Sequence, residues 1–261
     1  MNGFALFFRK EILELFRTVK GIILAVIFLL VGISSPVLAK LTPEIIKWAG
    51  IDGSDEEFAA LTALIPTPDS AASYEQFFSN FNTMGLISVI IVFAGVIANE
   101  KSKGTAAYML TKNISRTQFI LSKLASAAAF VFASLIISLG SQMIYTGILF
   151  GDKIIDNKSV IIFSALLFLY LIFILTFTLF SSVLTKTATS AAFLGFLFFI
   201  VFNIFAALPK IGKYMPPLIN NFGIITAAES VRVLLPNIII TVICCAAFVV
   251  LSVKLFKRQE L

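Results

Sequence analysis

Six stretches of this 261-residue chain carry no Asp, Glu, Lys or Arg: residues 21–39, 76–99, 124–151, 159–185, 187–209 and 233–253. A helix needs roughly 20 apolar residues to cross the hydrocarbon core of a bilayer. A backbone in lipid must satisfy its own hydrogen bonds, so these stretches are read as helices and not as open strands. Composition agrees. Charged residues make up 13% of the chain and hydrophobic residues 59%, where a soluble domain has about 25% charged residues to coat its surface. The expected fold is a single all-α integral membrane domain over residues 1–261. Its six transmembrane helices lie at about 21–39, 82–99, 124–150, 159–184, 188–208 and 234–253.

The distribution of basic residues orients these spans. With both termini cytoplasmic, the inner segments hold thirteen of the twenty Lys and Arg but only four acids, Glu11, Glu14, Glu100 and Glu260. The opposite orientation would put the basic clusters outside. A pI near 9.3 is then a topology signal, and no nucleic-acid partner is implied.

Composition also removes whole classes of chemistry. There is no His, so imidazole metal ligands and Ser-His or Cys-His nucleophile pairs are excluded. Cys244 and Cys245 are neighbours inside an apolar run, where disulfide geometry is hard to meet. No catalytic residue and no metal site is expected. The 21–39 stretch follows twenty residues that include Glu11 and Glu14, which is unlike a cleavable signal peptide.

Several segments lie outside the spans. In residues 3–19, Phe4, Phe8, Ile12, Leu15, Phe16 and Val19 recur at helical spacing, with Lys10, Glu14 and Arg17 on another face. This pattern predicts an interfacial helix lying at the headgroup level. The outer loop 40–81 is acidic, and Ser54 and Glu57 have the spacing of a capping box that would start a short helix from Asp55 to Ile65. Residues 210–233, with Pro216-Pro217, predict short broken helices on the outer side. Thr185-Lys186-Thr187 predicts a tight hairpin between the fourth and fifth spans.

The inner loop 100–119 is the most informative. Ser115 and Gln118 form a second capping box, and Ile114 with Phe119 a hydrophobic staple. The third helix should therefore start sharply at Arg116. Before it, residues 105–111 predict one or two helical turns parallel to the membrane. A short anchored helix there suits a mechanical connection to a cytosolic partner. Glu100 is expected to pair with a basic residue such as Arg116, holding the loop. Within the spans, Gln142, Tyr145 and Asn203 are the candidate path-lining groups.

This loop resembles the type-2 ABC transporter permease family. The matching residues are Glu100 at the inner end of the second span, then Lys101, Gly104, Thr105, Leu110, the Ser115-Arg116 pair, and Lys123 at the start of the third span. Lys112-Asn113 departs from the family pattern, in which many members have Pro. The resemblance implies the membrane-spanning subunit of a bacterial ABC exporter in the plasma membrane. It also implies a second permease subunit, as homo- or heterodimer, and a cytosolic ABC ATPase docked on the loop. ATP and Mg belong to that partner, since this chain has no Gly-x-x-x-x-Gly-Lys-Ser/Thr loop. The chain itself is then a transport subunit and no enzyme. Its sparse polar lining and many Phe suit an amphipathic or hydrophobic cargo, such as a peptide, lipid-like molecule or drug. The alternatives are an ion-driven carrier, which usually keeps ionisable groups within the membrane, and a non-transporting scaffold or immunity protein.

Overall fold

The computed structural model describes residues 3–48, 68–111, 114–151, 157–208, 210–220 and 234–259. The expected capped helix 55–65, Lys112-Asn113 and residues 221–233 lie outside the described residues. Within them the chain is all-helical. The order is α1 (Gly3–Arg17), α2 (Val19–Trp48), α3 (Ser70–Asn80), a π-helical turn (Phe81–Gly85), α4 (Leu86–Ser102), α5 (Thr105–Leu110), α6 (Arg116–Phe150), α7 (Asn157–Leu184), α8 (Ala188–Ala206), 3₁₀ turns at Gly212–Tyr214 and Pro216–Asn220, and α9 (Leu235–Arg258). Six of the resulting helical stretches are long and apolar enough to cross a membrane, with α3, the π turn and α4 joined into one of them, Ser70–Ser102.

Local signals explain several helix starts. Ser115 Oγ accepts from the Gln118 amide and Gln118 Oε1 from the Ser115 amide, so the capping box starts α6 at Arg116. Thr187 caps α8 through the Ser190 amide. Gly104 stands at φ 69° before α5, a left-handed conformation that glycine adopts without a Cβ penalty.

The segment 40–81 is less of a loop than its charge predicts. α2 runs on to Trp48, and the second long helix begins at Ser70, capped by Asp69. Its first turns are polar in sequence but bury Ser73, Tyr74, Phe77 and Phe78 against the bundle. Phe77 and Phe81 then pack at 4.8 Å, and Phe28 of α2 meets Phe81 at 4.8 Å. Polar residues are tolerated because they are bonded across helices. Ser73 Oγ and Thr146 Oγ1 lie 2.9 Å apart, and Asn80 Nδ2 donates to Ser35 Oγ.

α7 is the central helix and packs on α4, α6, α8 and α9. Phe173 and Phe177 of α7 meet Phe202 of α8 and Phe248 of α9 in one aromatic cluster. Small residues let α4 and α8 approach, with Ala94, Ala98 and Ala191 all fully buried together. α2 and α6 approach closely at Gly32. A Cβ there would sit 2.3 Å from the Ser138 carbonyl oxygen, and the Ser138 hydroxyl donates to the Phe28 carbonyl.

α1 packs along α6 with a face that keeps most of its apolar spacing: Phe7 and Glu11 are buried and Phe4, Phe8, Ile12 and Leu15 half-buried, whereas Phe16 is 59% exposed and rests edge-on against Phe130. Val19, 71% exposed, belongs to α2. The end of the bundle that holds α1, α5 and the last turn of α9 is here the proximal end.

Gly32→Val should force α2 and α6 apart and destabilise the protein by about 1–3 kcal/mol, the usual range for overpacking. Gly140→Ala, where a Cβ meets open space, should cost nothing. Thermal unfolding of the two purified variants in detergent checks both.

Candidate functional site

Lys123 lies in the second turn of α6 with its side chain 2% exposed. Its Nζ is 2.9 Å from Glu11 Oε2 of α1 and 2.8 Å from Glu100 Oε1 at the end of α4. The ammonium also stands 5.7 Å from the Phe7 ring centre and 5.2 Å from that of Phe119, within cation–π range. Lys10 extends the network, 3.0 Å from both Glu11 Oε1 and Glu14 Oε2. Burial opposes the charge on Lys10, but the carboxylates of Glu11 and Glu14 outweigh it and hold its pKa above the ordinary lysine value. The buried lysine thus ties together three elements distant in sequence.

A second junction lies beside it. Arg116, the first residue of α6, donates from Nη1 to the carbonyl oxygens of Phe256, Lys257 and Gln259, at 3.0, 2.8 and 2.8 Å. These carbonyls lie at the end of α9 and just beyond it, where a cation is favoured by both hydrogen bonding and the helix dipole. Gln259 Nε2 donates to the Val183 carbonyl at the end of α7, and Lys101 Nζ donates to that same carbonyl and to Gln259 Oε1. An apolar layer separates the two junctions. Phe119 stacks on Phe256 at 5.2 Å and packs on Phe7 at 5.6 Å. Ala106 of α5 is fully buried in the same cluster, with Met109, Leu110 and Ile114 packed against it.

The short helix α5 is therefore clamped along one side and open on the other. Thr105, Tyr108 and Thr111 are exposed, and Thr105 Oγ1 donates to the Glu100 carbonyl at 3.2 Å. Glu100, Lys101, Gly104, Thr105, Leu110, Ser115 and Arg116 all gather at this end, as their sequence proximity requires. The expected Glu100–Arg116 pair is not formed: Glu100 binds Lys123 and Arg116 binds the end of α9. Two cations compete for one carboxylate in sequence, and the three-dimensional position of the α9 carbonyls decides between them. The path-lining candidates do not meet. Gln142 is buried, and its amide nitrogen donates to Ser73 and Thr146. Tyr145 and Asn203 are exposed on different helices, and Asn203 donates to its own helix at Phe199.

Glu11, Phe7 and Gln259 are the residues that the sequence analysis passed over. Glu11 had a signal: it interrupts the stripe Phe4, Phe7, Phe8, Leu15 on one helix face, and a carboxylate in an apolar stripe calls for a cation. Gln259 had none, because its partner is a backbone carbonyl.

Removing one partner of a buried ion cluster leaves uncompensated charge, at a typical cost of about 3–5 kcal/mol. Lys123→Met should therefore destabilise the protein strongly, and the triple change with Glu11→Leu and Glu100→Leu should restore most of the loss. Detergent melting temperatures of the two variants check this.

Residues 54–261 match the family described as "Protein of unknown function (DUF2705)". Over 260 residues the chain is 26% identical to the "Uncharacterized transmembrane protein YxlG" of Bacillus subtilis (strain 168), covering 97% of this chain and 96% of that one. With six helices fit to cross a bilayer and a transmembrane relative of matching length, this chain is a multi-pass membrane protein and belongs to the DUF2705 family.

Proposed function

We propose that this chain is the membrane-spanning subunit of an ATP-driven exporter of the type-2 ABC permease kind. One observation carries the reading: α5 is an exposed short helix whose base is locked to the bundle on both sides. On one side Lys123 joins α1, α4 and α6. On the other, Arg116, Lys101 and Gln259 join α4, α6, α7 and α9. A force on α5 is delivered to five helices at once. A freely hanging loop would dissipate it.

In this reading the proximal end faces the cytosol of a bacterial cell, in agreement with its excess of Lys and Arg. A separate ABC ATPase docks on the open side of α5, around Tyr108 and Thr105. A second permease subunit completes the translocation path between the two bundles. The apolar helix surfaces support an amphipathic or hydrophobic cargo of the peptide, lipid-like or drug class. ATP and Mg act in the partner, and the chain itself catalyses nothing.

The buried triad gives the ion-driven carrier some support too, because it places ionisable side chains at the margin of the spans. Its position argues for the first reading. The triad joins the base of α5 to α1, where a clamp is needed, and lies away from Gln142.

The test is co-purification from native membranes. A partner ATPase carrying a Gly-x-x-x-x-Gly-Lys-Ser/Thr loop should be retained by the wild-type chain. Tyr108→Asp should reduce that retention at least about tenfold at equal yield of inserted chain, as expected when a charge is buried without a partner in an interface. Absence of any such ATPase from the wild-type complex overturns the proposal in favour of a scaffold or an ion-driven carrier.

A further inference from the structure

α2 and α6 approach closely at two levels and leave a gap between them. At one level Gly21 of α2 stands against Phe130 of α6, where a Cβ would lie 3.3 Å from the ring. At the other, Gly32 stands against Ser138. Between the two, the short side chains of Ala25, Ala133 and Ser134 leave a cavity of about 310 Å³, within the range of small-molecule sites of about 300–1,000 Å³. Phe130 and Ser134, both buried, form its floor. Phe16 of α1 closes one end, edge-on to Phe130 at 5.1 Å. Ile22, Val26 and Ile137 form the rim, each about half exposed and each within a membrane-crossing helix. The cavity therefore opens sideways, where lipid would surround the bundle.

Its walls carry no charged or amide group, and Ser134 is their one polar side chain. The other buried hydroxyls of α6 are all bonded: Ser122 and Ser126 to their own helix, Ser138 to the Phe28 carbonyl, and Thr146 with Ser73. A helical serine commonly turns back on the preceding turn, as Ser35 and Ser141 do. Ser134 does not, and among the described residues its Oγ has no hydrogen-bond partner although the residue is only 4% exposed. Nor is that oxygen sealed in. The fully enclosed side-chain atoms without a partner belong to Tyr74, Glu100, Gln142 and Asn220. Ser134 Oγ is thus the polar contact that the cavity offers an occupant.

Buried hydroxyls are normally bonded, and a hydrocarbon tail has nothing to bond with. An acyl chain would fill the volume and leave Ser134 as it is. A charged group would find no counter-charge in the walls. We propose that the cavity binds an uncharged, membrane-dissolved amphiphile of the alcohol or phenol class, its hydroxyl bonded to Ser134 Oγ and its apolar body lying along Ala25, Ala133 and Phe16. Both hydroxyls can donate and accept, so the bond forms in either sense. The inference concerns one chain alone and stands apart from the exporter reading.

The test uses the full chain in phosphatidylcholine vesicles, photolabelled with a diazirine-bearing octanol or with the matching diazirine-bearing octane, and labelled residues are read by peptide mass spectrometry. The octanol probe should label residues 22–29 and 130–137 saturably, and excess unlabelled 1-octanol should remove that label. At equal membrane concentration the octane probe should label them about fivefold less, the value of one uncharged hydrogen bond. Ser134→Ala should bring the octanol probe down to the octane level, and it breaks no bond within the protein. Ala133→Leu keeps Ser134 but fills the cavity, and should abolish the saturable label. Equal labelling by the two probes overturns the proposal, because it assigns the cavity to the hydrocarbon of bulk lipid. Undiminished labelling of Ser134→Ala or of Ala133→Leu also overturns it, as does a label at these residues that excess 1-octanol fails to remove.

Discussion

Lys123 holds its charge almost out of contact with water, and the proximal half of the molecule is arranged around that fact. A lone buried ammonium would cost several kcal/mol in desolvation. It is held by two carboxylates and two aromatic faces. Those partners come from α1, α4 and α6, so the lysine joins these three helices. The position of α1 follows from this. Its apolar side chains alone would let it roll on the bundle, but Glu11 must face inward beside Phe7, and this fixes which part of the apolar stripe is buried.

The two halves of the bundle use polarity differently. At the proximal end charged side chains bind charges and helix ends, through Lys123, Arg116 and Lys101. At the distal end, neutral groups bind one another across helices: Ser73 with Gln142 and Thr146, Asn80 with Ser35, and Asn82 with Asn220. Hydrogen bonds of this neutral kind between helices in lipid are worth only about 0.6 kcal/mol on average, whereas breaking the charged cluster exposes whole uncompensated charges. Pulling the proximal end apart is accordingly the costlier change, which suits the proposed coupling to an ATPase.

Much of the fold was legible because membrane helices are specified by local composition. Long uncharged runs marked all six spans, and the Ser115–Gln118 box marked the start of α6 to the residue. The errors have a common cause. Residues 70–80 read as loop because Ser70, Ser73, Glu75 and Gln76 lower their hydropathy, yet Phe77, Phe78 and Tyr74 between them are buried. Hydropathy averages over all faces of a helix, whereas packing acts on one. The loop residues from Glu100 to Arg116 were found together because they are neighbours in sequence. Glu11 and Gln259, brought in from the two ends of the chain, were not.

The sequence by itself determined that the chain lives in a membrane, how many times it can cross, and where a short helix interrupts it. These depend on the free energy of moving side chains from water to lipid and on caps that act within one turn. Only the tertiary structure decided which cation Glu100 would bind and that Glu11 would share it. Those outcomes depend on distances between helices, and Arg116 and Lys123 are equivalent candidates until the end of α9 is in place to take one of them.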